Sequence, residues 1–230
     1  MHIGFPLMMM MIPINEYENM RIDELTGYKS LPAVDQFISL VTQYSRSVGV
    51  GKMGQILKHA GYRVETGSRG LMFQLPKNQG KYVFKAWGKD SGYVYAVKIF
   101  KQHQNNPHIP KILRGPFALD NNKQFWVIVL EELEPIHDED LRKFIIFVAD
   151  VFENLHQLST KQVITLIENN IDKIGLTHSI KYYADILKTF WPTLLMFEEG
   201  DKNFLDLGND NVMIRPSDNQ LVITDPVAGF

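Results

Sequence analysis

The sequence predicts an α+β fold, with an antiparallel sheet in the first half of the chain and helices in most of the second half. Three observations support this prediction: strand patterns between residues 62 and 87, apolar residues at helical spacing after Pro135, and two short strand patterns near the C-terminus. The chain has 230 residues, of which 45% are hydrophobic and 22% charged. This composition is typical of globular proteins, and the length suits one large domain or two small lobes with a buried core.

Helices are expected before the sheet. Apolar residues recur at helical spacing from Leu31 through Val41, and a second, short helix is expected from Met53 to His59, ending at Gly61. The glycine pattern from Gly49 to Gly54 follows no strand, so it does not indicate a dinucleotide-binding turn.

The strand patterns follow one another closely. They comprise Tyr62–Thr66, Leu71–Leu75 and Lys81–Trp87, separated by polar turns, which predicts an antiparallel meander. The next segment, Tyr93–His103, fits either a further strand or a helix that begins at Asp90 or Ser91. Phe125–Leu130 is predicted to be a buried strand that leads into an acidic hinge near residues 131–135.

The second half of the chain is predicted to be mainly helical. The helical segments are Asp140–Leu158, Thr160–Asn170 and His178–Phe197. Two short strands, Asn211–Ile214 and Leu221–Thr224, then predict a hairpin with its turn between Arg215 and Asn219.

The two halves carry opposite charge. Residues 51–115 contain 12 basic and 2 acidic residues, whereas residues 116–230 contain 9 basic and 19 acidic residues. A basic region attracts phosphates or nucleic acid and an acidic region can hold divalent cations, so a cleft between them suits a metal-bound polyphosphate.

Cysteine content and the apolar N-terminal segment exclude several other classes of protein. The chain has no cysteine, which excludes disulfides, thiol nucleophiles and thiolate metal sites. The stretch Ile3–Ile12 lacks a basic flank and is too short to span a bilayer. We therefore expect no signal peptide and no membrane partner, and we predict a cytoplasmic location.

The residues that most clearly indicate chemistry lie around the C-terminal hairpin. Asp206 and Asn211 are five positions apart in a loop that leads into one strand, and Asp225 ends the partner strand. The three side chains can therefore converge at one rim. The alternative is that this Asp- and Asn-rich stretch serves only as a turn.

This order of residues resembles the catalytic loop and metal-binding aspartate of the protein-kinase-like superfamily. The loop Phe204–Asn211 is similar to that of aminoglycoside phosphotransferase-type kinases, although it lacks their first His, and the order of segments resembles small kinase-like proteins of bacteriophages. The resemblance implies a minimal bilobal kinase-like fold. Residues 1–60 would be an N-terminal extension with helices, 61–134 the sheet lobe and 135–230 a truncated helical lobe.

The resemblance also implies roles for individual residues. Asp206 would accept the proton of the acceptor hydroxyl or orient that hydroxyl. Asn211 and Asp225 would ligate Mg²⁺. The nucleotide-binding residues would be Gly67, Ser68 and Arg69 in a phosphate-facing turn, Lys85 on the third strand, and Glu131 at the hinge. Lys98 is the alternative to Lys85, but it lies only 33 residues before Glu131, whereas Lys85 lies 46 residues before it. The intervening helix, strands and connections need roughly 40 residues, which favours Lys85.

The expected function is a kinase-like protein that binds Mg-ATP in a cleft between the lobes and transfers phosphate to an acceptor. The competing interpretation is a catalytically inactive pseudokinase, encoded by a bacteriophage, that binds a host protein or nucleic acid in the host cytoplasm. No acidic residue lies between Ser91 and Gly115 to pair with the lysine, which favours either a divergent enzyme or this pseudokinase. The chain also ends five residues after Asp225, so activity on peptides is not expected.

Overall fold

The computed structural model describes residues 32–66, 70–74, 82–88, 91–118, 125–197, 204–208, 211–225 and 227–228. The helices are α1 (Pro32–His59), α2 (Ser91–Gln102), α3 (Glu139–Leu155), α4 (Thr160–Ile174) and α5 (Ile180–Leu195). The strands are β1 (Arg63–Thr66), β2 (Gly70–Gln74), β3 (Tyr82–Trp87), β4 (Ile112–Ala118), β5 (Trp126–Glu131), β6 (Phe204–Leu205), β7 (Val212–Arg215), β8 (Gln220–Ile223) and β9 (Val227–Ala228). The predicted α+β fold class is confirmed.

Five of the strands form one antiparallel sheet with the order β1-β2-β3-β5-β4. The predicted meander forms β1 to β3, and the ambiguous segment Tyr93–His103 lies mostly in helix α2. Strand β4 was not predicted from a strand pattern. It lies at the edge of the sheet and contains Gly115-Pro116, which interrupts the alternation of side chains and suits an edge strand.

The sheet is the middle layer of the first half. Alternate residues of a strand face opposite sides, and β5 buries both of its faces. Val127 and Val129 pack on the side of α1, whereas Ile128 and Leu130 belong to the core that includes α2 and the later helices.

Helix α1 covers one face of the sheet as a single element. The predicted division into two helices, one through Val41 and one from Met53, is therefore wrong. Its buried side chains Phe37, Val41, Met53 and Leu57 pack against the sheet, and this burial offsets the low helix propensity of the glycines between them.

Helices α3 to α5 each begin at a residue whose side chain caps the helix. Ser159 and Gln162 form a capping box at the start of α4, and Gly175 ends that helix with φ 73°. The side chain of Asp138 accepts hydrogen bonds at the start of α3. Val212, Leu221 and Ile223 of the β7–β8 hairpin share a hydrophobic core with residues of these three helices. Within the described residues, no helix combines the length and apolarity needed to cross a membrane.

Candidate functional site

An ion pair joins the sheet to the C-terminal hairpin. Lys85 Nζ lies 2.6 Å from Asp225 Oδ2, although 140 residues separate the two in sequence. Lys85 is on β3, opposite Ile128 of β5, and Asp225 follows β8. The side chain of Lys85 is 14% exposed and that of Asp225 is 39% exposed, so the pair is open to solvent mainly on the side of the aspartate.

A buried aromatic ring also contacts Lys85. Lys85 Nζ lies 3.8 Å from the ring centroid of Tyr93, a residue of the first turn of α2. This is within the range of a cation–π interaction. The sequence showed that α2 has no acidic residue, but it did not predict the contact with this ring. The one feature that could have indicated the contact is a tyrosine in the helix that directly follows β3.

The loop before β7 is closed by its own hydrogen bonds. The Gly208 N–H donates to Asp206 Oδ1 at 3.0 Å, and Asn211 Nδ2 donates to the backbone carbonyl of Asp206 at 3.0 Å. The Asn211 N–H donates to the Gly208 carbonyl at 2.8 Å. A Cβ atom at residue 208 would lie 3.1 Å from Asp206 Oδ1, so glycine leaves room for the carboxylate.

Strand pairing brings the three predicted residues of this region near one another. Leu205, which directly precedes Asp206, pairs with Val227, two residues after Asp225. The Thr224 N–H donates to the Asn211 carbonyl at 2.8 Å, so Asn211 lies opposite the residue that precedes Asp225. The backbone thus gathers all three at one end of the hairpin, as the sequence predicted.

The residues at this end provide oxygen ligands of the type that Mg²⁺ prefers. Mg²⁺ binds through one or two protein carboxylates together with waters and substrate phosphates. The carboxylate of Asp225 and the amide oxygen of Asn211 fit that requirement. Within the described ranges, no group of three or more histidine or acidic side chains could hold a metal, so the fit depends on these two residues and a bound phosphate.

Glu131, the predicted hinge residue, has its side chain engaged within the protein. Its carboxylate accepts hydrogen bonds from Arg215, and the Lys111 N–H donates to Oε1 at 2.8 Å. The hydrogen bonds to Glu131 raise the pKa of the Arg215 guanidinium. A nucleotide-binding role for Glu131 stays a prediction, and sequence reasoning did not foresee the arginine partner.

A buried histidine connects the hairpin to the helices. His108 Nδ1 lies 2.7 Å from the Leu221 carbonyl, and Nε2 lies 2.7 Å from Thr189 Oγ1 of α5. The His108 carbonyl accepts a hydrogen bond from the Ile223 N–H at 2.9 Å. Burial lowers the pKa of His108, so its neutral form is favoured.

The other predicted nucleotide-binding residues are those of the phosphate-facing turn and the alternative lysine. The turn of Gly67, Ser68 and Arg69 falls outside the described residues. Lys98, the alternative to Lys85, lies on α2 rather than on a strand. The cofactor-binding roles assigned to these residues stay predictions.

No protein-family model and no curated protein matches the sequence. Similar solved structures include a protein assigned as a fructosamine-3-kinase from Haemophilus somnus 129PT, with 13% identity, a TM-score of 0.30, and coverage of 76% of this chain and 70% of that chain. The complex of gentamicin with APH(2″)-IIa has 15% identity and a TM-score of 0.33, and the match covers 76% of this chain and 71% of that chain. An ethanolamine kinase from Plasmodium vivax has 12% identity and a TM-score of 0.35, and the match covers 83% of this chain and 61% of that chain.

The order of elements can be compared with the one that the resemblance in the sequence implies. An antiparallel sheet has one helix, α2, inserted between β3 and β4, and β5 is followed by helices and then by the strand pair β7–β8. The predicted order of an antiparallel sheet, helices and a C-terminal hairpin is therefore confirmed, and the kinase-like fold itself stays a prediction.

Proposed function

We propose that this protein binds a magnesium-bound nucleoside triphosphate, ATP, between the sheet and the C-terminal hairpin, and transfers phosphate to an acceptor. The observation that carries the proposal is the 2.6 Å contact between Lys85 Nζ and Asp225 Oδ2. It joins a cation from β3 to a carboxylate at the end of β8. A metal-bound polyphosphate needs both, because the cation contacts phosphate oxygens and the carboxylate contacts the metal.

Each residue then has a distinct role. Lys85 would donate hydrogen bonds to phosphate oxygens, and Asp225 and Asn211 would hold the metal through oxygen atoms. A bound Mg²⁺ would neutralise negative charge on the phosphates. Asp225 is 39% exposed, so its carboxylate can turn from Lys85 towards a cation from solvent.

Asp206 is the candidate that would act on the acceptor. Its side chain is exposed, and one carboxylate oxygen is fixed by the Gly208 N–H. The other oxygen could accept the proton of an acceptor hydroxyl as that hydroxyl attacks the terminal phosphate. The loop hydrogen bonds would hold this carboxylate beside the hairpin end that carries Asn211 and Asp225.

The first test is a thermal unfolding titration with ATP and Mg²⁺. A ligand present at about 100 times its dissociation constant stabilises the folded state by about 2.7 kcal/mol, which raises the melting temperature measurably. We expect this increase in the unaltered protein and its loss in Asp225→Ala. The matched control is Asp185→Ala, since Asp185 is 52% exposed on α5. No increase at millimolar nucleotide would overturn the proposal.

A nucleotide-binding protein without phosphate transfer is the second candidate. It is favoured by the absence of any acidic residue in the α2 sequence, because active protein kinases pair the strand lysine with a helix glutamate. Such a protein would act by binding a host protein or nucleic acid, as a bacteriophage product in the cytoplasm of its host. Nucleotide-dependent stabilisation without formation of ADP would support this candidate over the enzyme.

A further inference from the structure

We propose that Tyr93 is a positioning residue for Lys85, and that the face of its ring replaces a carboxylate in holding the ammonium group in place. The consequence for nucleotide binding rests on the proposed function. The contact itself does not, so it can be tested in the protein without any ligand.

The contacts of Lys85 include two of different kinds. Asp225 contacts Nζ at 2.6 Å from the hairpin, and the Tyr93 ring lies 3.8 Å from Nζ on the side of α2. A cation is attracted to an aromatic face within about 6 Å, and the attraction is stronger where water is excluded. Lys85 is only 14% exposed, so this contact is well shielded from water.

The ring is itself held in place by other aromatic residues. Tyr93 is 1% exposed, and its ring makes edge-on contacts with Trp87 at 4.8 Å and with Phe100 at 6.5 Å. Trp87 is on β3, the same strand as Lys85. The ring therefore offers a surface that is fixed before any ligand arrives, which lowers the cost of ordering the lysine.

The replacement changes the charge of the site. A carboxylate on α2 would cancel the charge of Lys85, whereas a neutral ring attracts the ammonium without cancelling it. When Asp225 turns to a metal, the ring still holds the ammonium group, and Lys85 Nζ can donate hydrogen bonds to the ligand. The ring thus favours an anionic ligand with several phosphate oxygens, which is the chemistry of a nucleoside triphosphate.

The contact can be measured directly by NMR of a protein with ¹³C-labelled lysines. The Lys85 ε-methylene protons lie near the face of a ring, so we expect their signal to be shifted upfield, and Lys85→Met assigns it. Tyr93→Phe should keep the upfield shift and Tyr93→Leu should remove it. The control Phe152→Leu loses a buried aromatic residue from α3 and should leave the shift unchanged. An upfield signal that is missing in the unaltered protein, or that persists in Tyr93→Leu, would overturn the positioning role.

Nucleotide affinity tests the functional consequence with the same variants. A cation–π contact of the usual strength corresponds to about a two- to thirtyfold change in affinity, so Tyr93→Leu should weaken Mg-ATP binding by that factor. Tyr93→Phe should restore it, because the ring face remains. Equal weakening in Tyr93→Phe and Tyr93→Leu would assign the effect to the hydroxyl and contradict the proposal. If the unaltered protein binds no nucleotide, the proposed function fails while the NMR result still decides the role of Tyr93.

Discussion

Arg215 and Glu131 form a bidentate ion pair that fixes the C-terminal hairpin to the end of β5. Arg215 Nε donates to Oε2 at 2.9 Å and Nη2 donates to Oε1 at 2.7 Å. The guanidinium also donates to the carbonyls of Pro107 and Ile109, and its side chain is only 4% exposed. Because Asp225 follows the same hairpin, the position of the candidate site depends on this arginine.

Removing this arginine should strongly destabilise the protein. Breaking a buried ion pair typically costs about 3–5 kcal/mol, since the remaining charge is left without a partner, so we expect a loss of that size in Arg215→Ala. Arg215→Lys should lose less stability, because lysine keeps the positive charge although it lacks the planar guanidinium that binds both carboxylate oxygens. Urea denaturation measures both. The control Lys188→Ala removes an exposed ion pair to Asp185 and should cost at most about 1 kcal/mol. A loss in Arg215→Ala no larger than in the control would contradict the structural role.

Asp206→Asn should separate nucleotide binding from turnover. If Asp206 accepts the proton of the acceptor, the variant should form ADP about 10²–10⁴ times more slowly, because a general base typically contributes that factor. Its stabilisation by Mg-ATP should be unchanged. Asp172→Asn on α4 is an exposed control that should keep full turnover. Equal turnover in Asp206→Asn and the unaltered protein would exclude the catalytic role. An absence of turnover in both would support the non-catalytic candidate.

Gly208→Ala tests whether the loop geometry positions that carboxylate. The new Cβ would lie 3.1 Å from Asp206 Oδ1, which is too close for ordinary contact, so the carboxylate or the loop must shift. We expect slower formation of ADP with little change in the melting temperature, since the loop is exposed. Unchanged turnover in Gly208→Ala would mean that the hydrogen bond between Gly208 and Asp206 does not set the rate.

The sequence alone was enough to predict the elements whose conformation depends on their own residues. β5 buries both faces and reads as a continuous apolar run, and the start of α4 carries its own cap at Ser159. α1 was not foreseen as one helix because its glycines lower local helix propensity, and only packing against the sheet compensates. β4 was not predicted because Gly115-Pro116 interrupts the alternating pattern that is typical of a strand.

The same distinction applies to the candidate site. Asp206 and Asn211 form a short motif, and their spacing to Asp225 could be recognised in the sequence. The contacts made by Tyr93 and Arg215 could not, because each depends on side chains brought together by the fold. A sequence pattern can indicate which residues carry chemistry, but it does not encode the neighbours that orient them.

Gly54→Ala should stabilise the protein and thereby test the continuity of α1. A Cβ at this position would lie 3.6 Å from Leu71 Cδ1 and from Val64 Cγ1, which is ordinary van der Waals contact. Alanine inside a helix is favoured over glycine by about 0.5–1 kcal/mol, so we expect a gain of that order in the free energy of unfolding. The contrasting control is Gly175→Ala, which should destabilise, since φ there is 73°. A loss of stability in Gly54→Ala would indicate that the chain is not helical at this point.

Stability should fall in mildly acidic solution because of His108. Burial lowers the pKa of this ring, with a further contribution from Arg215, while the Leu221 carbonyl and Asp218 act in the opposite direction. The folded protein therefore resists protonation at a pH where the unfolded chain, with an ordinary histidine pKa of about 6.5, takes up a proton. The free energy of unfolding should then decrease as the pH falls below about 6.5, by at most about 1.4 kcal/mol per pH unit, until the folded protein is also protonated.

Urea denaturation from about pH 8 to about pH 5 measures this loss, and His108→Asn is the matched variant. Asparagine does not titrate, but it keeps a donor where His108 Nδ1 faces the Leu221 carbonyl at 2.7 Å. The other histidines are common to both proteins, so their contributions cancel in the difference. We expect the stability advantage of the unaltered protein over His108→Asn to shrink as the pH falls. A difference that stays constant across this range would mean that His108 titrates alike in the folded and unfolded chains, and that its burial has no effect on the acid stability of the hairpin.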